Sequence, residues 1–293
     1  MLHTVPEVRI ETFQIAGLTL RARSFGPATA PLVVLLHGYL TAGRTWDAVC
    51  TRLAPQFHSL ALDLPACGDS PAPPPGVAWS LDTFAEICDG LCKVLGRDRI
   101  DLIGSQMGGS IAAWYAARHP QRVSRLVVMA SGILGETAAN MGLYRALASP
   151  WTGWLVKRIL PRKQFLRRWT EAHGPERGPD LANFGYYFDQ FRRTADVQTR
   201  IALGVRASFG RGFDDAAPLL RGLATPTLLL FGDADKIVPS STGDRFHELL
   251  SASQLVKIPG CGDFPQEEFP ELVADEIRRF LSAPSREARN SDR

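Results

Sequence analysis

The sequence predicts an α/β protein: a mostly parallel sheet flanked by helices, with a helical segment inserted late in the chain. Three observations predict it. Short continuous apolar runs such as PLVVLL (31–36), RIDLIG (99–104) and TPTLLLFG (225–232) have the character of strands buried on both faces. Stretches of helical periodicity separate them, the βαβα rhythm of parallel strands covered on both sides. Finally, about ninety residues between a strand ending near 130 and one beginning near 225 carry no strand pattern.

The elements follow in order. VRIETFQI and LTLRARS read as an opening hairpin, with Ala16-Gly17 at the turn. PLVVLL is the first buried strand, a helix follows near 45–54, and HSLALDL (58–64) is the next strand. The run Pro71-Ala72-Pro73-Pro74-Pro75-Gly76 is loop. Ser80 caps a helix to about residue 95. Strands recur at 99–104, 122–130, 225–232 and 254–260, with helices at 107–118, 240–250 and 266–282 between and after them. The strandless stretch holds amphipathic segments, ALASPWTGWLVKRILPRKQFLRRW and NFGYYFDQFRR, and reads as a lid over the sheet's C-terminal edge. The expected division is a core of 1–131 and 207–293, a helical lid of 132–206, and a frayed polar tail at 283–293.

Composition narrows the function. The 293 residues are 45% hydrophobic and 22% charged, enough to fill a large core and too apolar for general disorder. A net charge of +3 is too mild to argue for nucleic acid. No apolar run reaches the ~18 residues of a membrane span, and MLHTVPEVRIE has no signal-peptide pattern. Five scattered cysteines without an export signal suggest reduced thiols and a cytoplasmic protein. Cys88 and Cys92 share a helix face but lack further soft ligands, so they read as core residues. No cofactor or metal is expected, and the oligomeric state stays open.

The lid is locally basic. Arg145, Lys157, Arg158, Arg162, Lys163, Arg167 and Arg168 accompany Trp151, Trp154 and Trp169. One reading is an anionic substrate, a carrier-protein surface or a membrane interface. The other is a solvated helix face with its aromatics packed on the core.

Four segments carry a resemblance: LLHGYL (35–40), LDLPACGDS (62–70), LIGSQMGG (102–109), and the pair LLFGDADKIVP (229–239) with IPGCGDFPQEEFP (258–270). In this order and spacing they resemble the α/β-hydrolase superfamily, in its lid-bearing, epoxide-hydrolase- or esterase-like branch. The resemblance implies a strained strand-to-helix turn, G-x-S-x-G, that presents a serine. A later acid then orients a histidine base, and two backbone N–H groups hold the oxyanion.

The two reacting positions depart from that plan. Gly104-Ser105-Gln106-Met107-Gly108 puts Gln106 at the tip of the turn, with Ser105 one position earlier. Gly260-Cys261-Gly262-Asp263-Phe264 puts Asp263 where the resemblance implies histidine, and the acid remains as Asp235. Gln is not a nucleophile, and loss of a triad member costs a serine hydrolase up to about a millionfold in kcat. Ser105, His37, Cys67 and Cys261 are weaker substitutes: Ser105 should face the protein body, His37 should position backbone, and no cation is evident to activate either thiol.

The resemblance keeps the backbone N–H groups of Tyr39 and Met107 as an oxyanion hole, and the Gln106 amide is expected to project there as a further donor. Asp235 and Asp263 should lie close, so that one holds a proton at neutral pH. Phe264, Tyr39 and aromatic residues of the lid should wall the pocket, with His37 and Ser105 nearby, and Asp63 with the turn Cys67-Gly68-Asp69-Ser70 should shape its rim. The reading that follows is a non-hydrolytic acid–base enzyme: a lyase, isomerase, dehydratase or cyclase. Its substrate would be an apolar, carbonyl-containing small molecule, anionic or carrier-bound. Two alternatives stand beside it. One is a ligand-binding pseudoenzyme in which Asp263 merely accepts from Gln106; the other is a hydrolase with an unorthodox constellation.

Overall fold

A computed structural model of the protein describes residues 8–134, 141–208 and 216–283. The expected tail lies outside these residues apart from Ala283. Strands β1 (Arg9–Ile15) and β2 (Leu18–Phe25) form the opening hairpin. Its two turn residues, Ala16 and Gly17, both have positive φ, at 50° and 75°, the conformation a two-residue hairpin loop demands. Strand β3 (Leu32–Leu36), helix α1 (Asp47–Leu53) and strand β4 (His58–Asp63) come next. Ser80 caps α2 (Leu81–Val94) by accepting from the Thr83 N–H at 3.1 Å. Strand β5 (Ile100–Ser105), α3 (Met107–Arg118) and β6 (Val123–Met129) complete the first half.

Four helices then follow: α4 (Met141–Ala148), α5 (Gly153–Ile159), α6 (Arg162–Ala172) and α7 (Leu181–Ala207). Pro150 and Pro161 lie in the breaks between the first three, because proline cannot continue a helix. Asp180 starts α7 by accepting from the N–H groups of Ala182 and Asn183. The core resumes with α8 (Ala217–Arg221), β7 (Thr227–Gly232), α9 (Ser241–Leu249) and β8 (Ser253–Ile258). The last expected helix is divided into α10 (Pro265–Glu268) and α11 (Pro270–Ser282), with Pro270 opening the second piece.

The eight strands pair in the order β1-β2-β4-β3-β5-β6-β7-β8, antiparallel at β1/β2 and β2/β4 and parallel elsewhere. Alternation along the strands sends side chains to two cores. Val34, Leu36, Leu102 and Val128 pack on the α2–α3 side, whereas Val33, Leu35, Ile103 and Val127 pack on the α1–α11 side. Cys88 and Cys92 belong to the first core, and among the described residues no cluster of His, Cys, Asp or Glu could hold a metal ion. The inserted helices have a core of their own, built on Phe165, Trp169, Phe184, Tyr187, Phe188 and Phe191. Phe264 joins this cluster from the loop after β8 and so ties the insertion to the sheet. Trp169 is therefore packed as the solvated-face reading requires, but Trp151 and Trp154 are not: they are 85% and 60% exposed.

Candidate active site

The strand-to-helix turn after β5 is the first component. Gln106 holds φ 53° and ψ −119° between strand and helix, a conformation costly for a non-glycine residue. The turn is possible because its flanks are glycines. A Cβ on Gly104 would fall 2.2 Å from the Gly108 carbonyl oxygen, and one on Gly108 would fall 2.4 Å from that of Leu36. Ser105 points into the body, fully buried, with its hydroxyl unpartnered.

Gln106 spans two loops. Its Nε2 donates to Asp263 Oδ2 at 2.5 Å and to the Asp263 main-chain oxygen at 3.0 Å. Its Oε1 has no donor and lies over Gly38, where a Cβ would come within 1.6 Å of it. This corrects the expectation that the amide projects as a free donor. Both amide N–H groups are used on Asp263, because a buried carboxyl and a carbonyl are the strongest acceptors in reach.

Asp263 is 6% exposed and Asp235 8%. Asp235 Oδ1 accepts from the N–H groups of Ile237 and Val238 at 2.7 and 2.9 Å, while its Oδ2 has no donor. Asp263 Oδ1 is likewise unpartnered. Burial pushes the Asp235 carboxyl up to about 7, against the pull of those two N–H groups and with the nearby Glu268 charge adding to the rise. Asp263 stands well above the usual carboxylate range, first from burial and then from the Asp235 charge; the Gln106 hydrogen bond opposes this. The two carboxyls interact as expected, but removal from water, not mutual repulsion, is the larger cause.

A cavity of about 450 Å³ opens in front of these groups, within the usual range for small-molecule sites. Tyr39, Gln106, Met107, Asp263 and Phe264 line its floor, while Tyr144, Leu147, Phe165, Trp169 and Phe191 line its roof. Among the described residues, neither the Tyr39 nor the Met107 N–H has an acceptor within the protein. Asp235 stands behind Asp263 and is not part of the lining.

His37 and Ser105, expected at the pocket, and the Asp63 turn, expected at its rim, are elsewhere. His37 is fully buried, with Nδ1 against the Gly38 carbonyl at 2.7 Å and Nε2 accepting from the Leu64 N–H at 3.0 Å. Burial lowers its pKa to about 4, so it is a neutral brace for the loop and does not reach the cavity. Ser105 faces away, as described. The Asp63 turn is also displaced from the rim: its carboxylate accepts from the Gly43 and Asp69 N–H groups, bracing two loops instead. Cys67 and Cys261 are buried thiols whose pKa values burial raises, which leaves them unreactive.

Two functional candidates were not singled out in the sequence. Tyr144, on the inserted α4, lines the cavity; burial and the Asp263 charge raise its pKa, and Arg206 opposes them. Glu268 organises the loop that holds Asp263. Its carboxylate accepts from the N–H groups of Gly174, Gly262 and Phe264, while the Asp263 N–H donates to the Ala172 carbonyl at 2.9 Å. The insertion and the loop are thus joined through one carboxylate and one main-chain bond.

Comparisons with known proteins agree with this fold. A family model described as alpha/beta hydrolase fold matches residues 31–270. The chain is 29% identical over 279 residues to the pimeloyl-[acyl-carrier protein] methyl ester esterase of Neisseria meningitidis, covering 88% of this chain and 80% of that protein. A solved membrane phospholipase A, described as a bacterial virulence factor, is 27% identical with a TM-score of 0.78, covering 94% of this chain and 86% of that one. The 2-hydroxy-6-oxo-6-phenylhexa-2,4-dienoate hydrolase of a Rhodococcus strain shares the fold at 22% identity and a TM-score of 0.78, covering 95% and all of the two chains (100% of that one).

Proposed function

The chain belongs to the alpha/beta hydrolase fold family, and from that premise we propose that it is an acid–base enzyme that works without an acyl-enzyme on a carbonyl-bearing, largely apolar small molecule. The reaction is then a lyase, isomerase, dehydratase or cyclase step. One observation carries the reading: Asp263, a buried carboxyl that feels the charge of Asp235, reaches an apolar cavity lined also by Tyr39 and Met107, whose N–H groups have no acceptor among the described residues.

The chemistry follows from proton affinity. Two neighbouring buried carboxyls hold one proton between them at neutral pH. In the state where Asp235 holds that proton, Asp263 Oδ1 is ionised and takes a proton from the carbon next to the substrate carbonyl. The negative charge moves to the carbonyl oxygen, where the Tyr39 and Met107 N–H groups stabilise it. The pair then returns a proton to another carbon, or to a departing hydroxyl as water, and the carbonyl re-forms. Gln106 acts as a positioning residue that fixes Asp263 Oδ2 and leaves Oδ1 for the transfer.

Substrate class rests on the lining. Besides Asp263, the charged liners are Arg168 and Arg206, which supports an anionic group on the substrate. Similarity to an esterase of a carrier-bound acyl group supports an acyl, carrier-linked form. Helices α4–α7, at 132–206 by the expected boundaries, serve as the lid. Five buried, unpaired cysteines support a cytoplasmic setting, and among the described residues no helix is long and apolar enough to cross a membrane.

A second reading is favoured by the Gln106–Asp263 pair itself. Because that pair satisfies the amide nitrogen, it fits a ligand-binding protein without turnover equally well at this one contact. Hydrolysis has the support of the relatives but not of the turn residue, since Gln106 cannot form an acyl-enzyme. Deuterium exchange next to the carbonyl of a panel of acyl thioesters and ketones, followed by NMR in heavy water, separates the three. Exchange lost on Asp263→Asn, with ligand binding retained, is expected. Binding without exchange in the natural protein means a binder, and release of the acyl acid means a hydrolase.

A further inference from the structure

The insertion exposes an apolar ridge. Trp151, Trp154, Leu155 and Ile159 are 85%, 60%, 41% and 64% exposed, and lie within nine residues on and just before α5. Only three other large apolar side chains among the described residues are this exposed, Ile10, Val94 and Leu181, and none adjoins these in sequence. The inner face of α5 is already occupied, since Val156 and Leu160 pack on the insertion's own core. The outward surface of the ridge is therefore left open, and contiguous exposed apolar surface costs solubility unless something covers it.

Charge says what covers it. Residues 141–172 hold seven bases and one acid, Glu171, in a chain whose whole net charge is +3. Arg167 pairs with Glu171, and Lys157 with Asp196. Arg158, Arg162, Lys163 and Arg168 are exposed and make no salt bridge among the described residues. A protruding row of tryptophan and aliphatic side chains bordered by bases matches an anionic lipid surface: the rings settle at headgroup depth and the bases meet phosphate. A convex ridge needs no complementary groove on a fluid bilayer, whereas a folded partner would have to supply one.

Position adds a further argument. Leu160, Gln164 and Arg168, directly after the ridge, line the cavity, and Gln164 and Arg168 are also exposed. The cavity mouth therefore opens beside the ridge. We propose that the α5–α6 face of this protein docks peripherally on anionic lipid bilayers, burying Trp151, Trp154, Leu155 and Ile159 and setting the cavity mouth at the membrane surface. The proposal is independent of the chemistry argued above, because its test reads binding rather than turnover.

The full-length protein is sedimented with vesicles of phosphatidylcholine alone or mixed with phosphatidylglycerol, at low and high salt. Binding to the anionic vesicles, weakened by salt, is expected. Trp151→Ala/Trp154→Ala and, separately, Arg158→Glu/Lys163→Glu each weaken it by at least about tenfold. All four residues are exposed, so Tm should hold in both variants and folding is not in question. Equal binding to neutral and anionic vesicles, no binding to either, or binding indifferent to the Trp variant overturns the proposal. So does a concentration-dependent dimer dissolved by the Trp variant without any vesicle binding, which would assign the ridge to a second copy of the chain.

Discussion

The Gln106 amide nitrogen donates to both the carboxyl and the main-chain oxygen of Asp263, at 2.5 and 3.0 Å. The resemblance implies serine and histidine at these two positions, and the residues that stand there, Gln106 and Asp263, complement each other. Together they place a hydrogen bond across the site between the strand-to-helix turn and the loop after β8. The turn at Gln106 holds a strained conformation, and Tyr39 and Met107 beside it line the cavity.

Restoring the family residues should therefore restore family chemistry. Gln106→Ser/Asp263→His, with Asp235 unchanged, is expected to hydrolyse p-nitrophenyl butyrate at least about a hundredfold faster than the natural protein. The natural protein should stay at background. Rapid turnover by the natural protein would mean that a different group acts as nucleophile.

Asp235 has a pH signature. Its carboxyl titrates near 7 when folded, against an ordinary value of 3.8, so the folded chain holds this proton more tightly than the unfolded one. The resulting stability is complete below about pH 4 and is lost as pH rises through about 7. Asp235→Asn keeps an oxygen for the Ile237 and Val238 N–H groups and cannot ionise. Its Tm should exceed that of the natural protein by about 2–4 °C or more near pH 8–9, and the difference should shrink or reverse near pH 5. A difference that does not vary with pH would contradict the assignment.

Glu268→Ala should destabilise by about 2–4 kcal/mol, because three buried N–H groups lose a charged acceptor together. Denaturant unfolding measures the loss. A change under about 0.5 kcal/mol, the usual size for a surface site, would remove Glu268 from its organising role.

Gly104→Ala tests the turn. The three nearest atoms to the new Cβ, at 2.2, 2.5 and 2.7 Å, are all backbone of Gly108 and Gly109, so no side chain can move aside. A loss of about 3 kcal/mol or more, or failure to fold, is expected. Near-natural unfolding would mean that the strand-to-helix turn is less tightly closed than this.

Some of this was legible in the chain and some was not. The hairpin turn at Ala16-Gly17, the Ser80 cap and the run of parallel strands all announce themselves through local chemistry, and each stands where the pattern puts it. The division of the last helix at Pro270 was also written in the sequence, as a proline within a periodic stretch. His37 and Ser105 were harder. Neighbours of site residues in sequence, they face inward because a turn directs successive side chains apart. Tyr144 was legible only as one of several lid aromatics and Glu268 was not singled out: what makes them relevant is proximity to Asp263, and no spacing rule encodes it.

The sequence by itself determined the order of elements and the family, and it set Gln106 and Asp263 in the turn and the late loop, since periodicity, turn chemistry and motif identity are all local. Only the tertiary structure decided that the Gln106 amide serves Asp263, 157 residues away, rather than the open cavity. It likewise decided that Trp169 is packed while Trp151 and Trp154 face outward. The reason is the same in each case: which acceptor a donor finds, and which face of a helix meets a neighbour, depends on distances between segments that only the packed chain brings together.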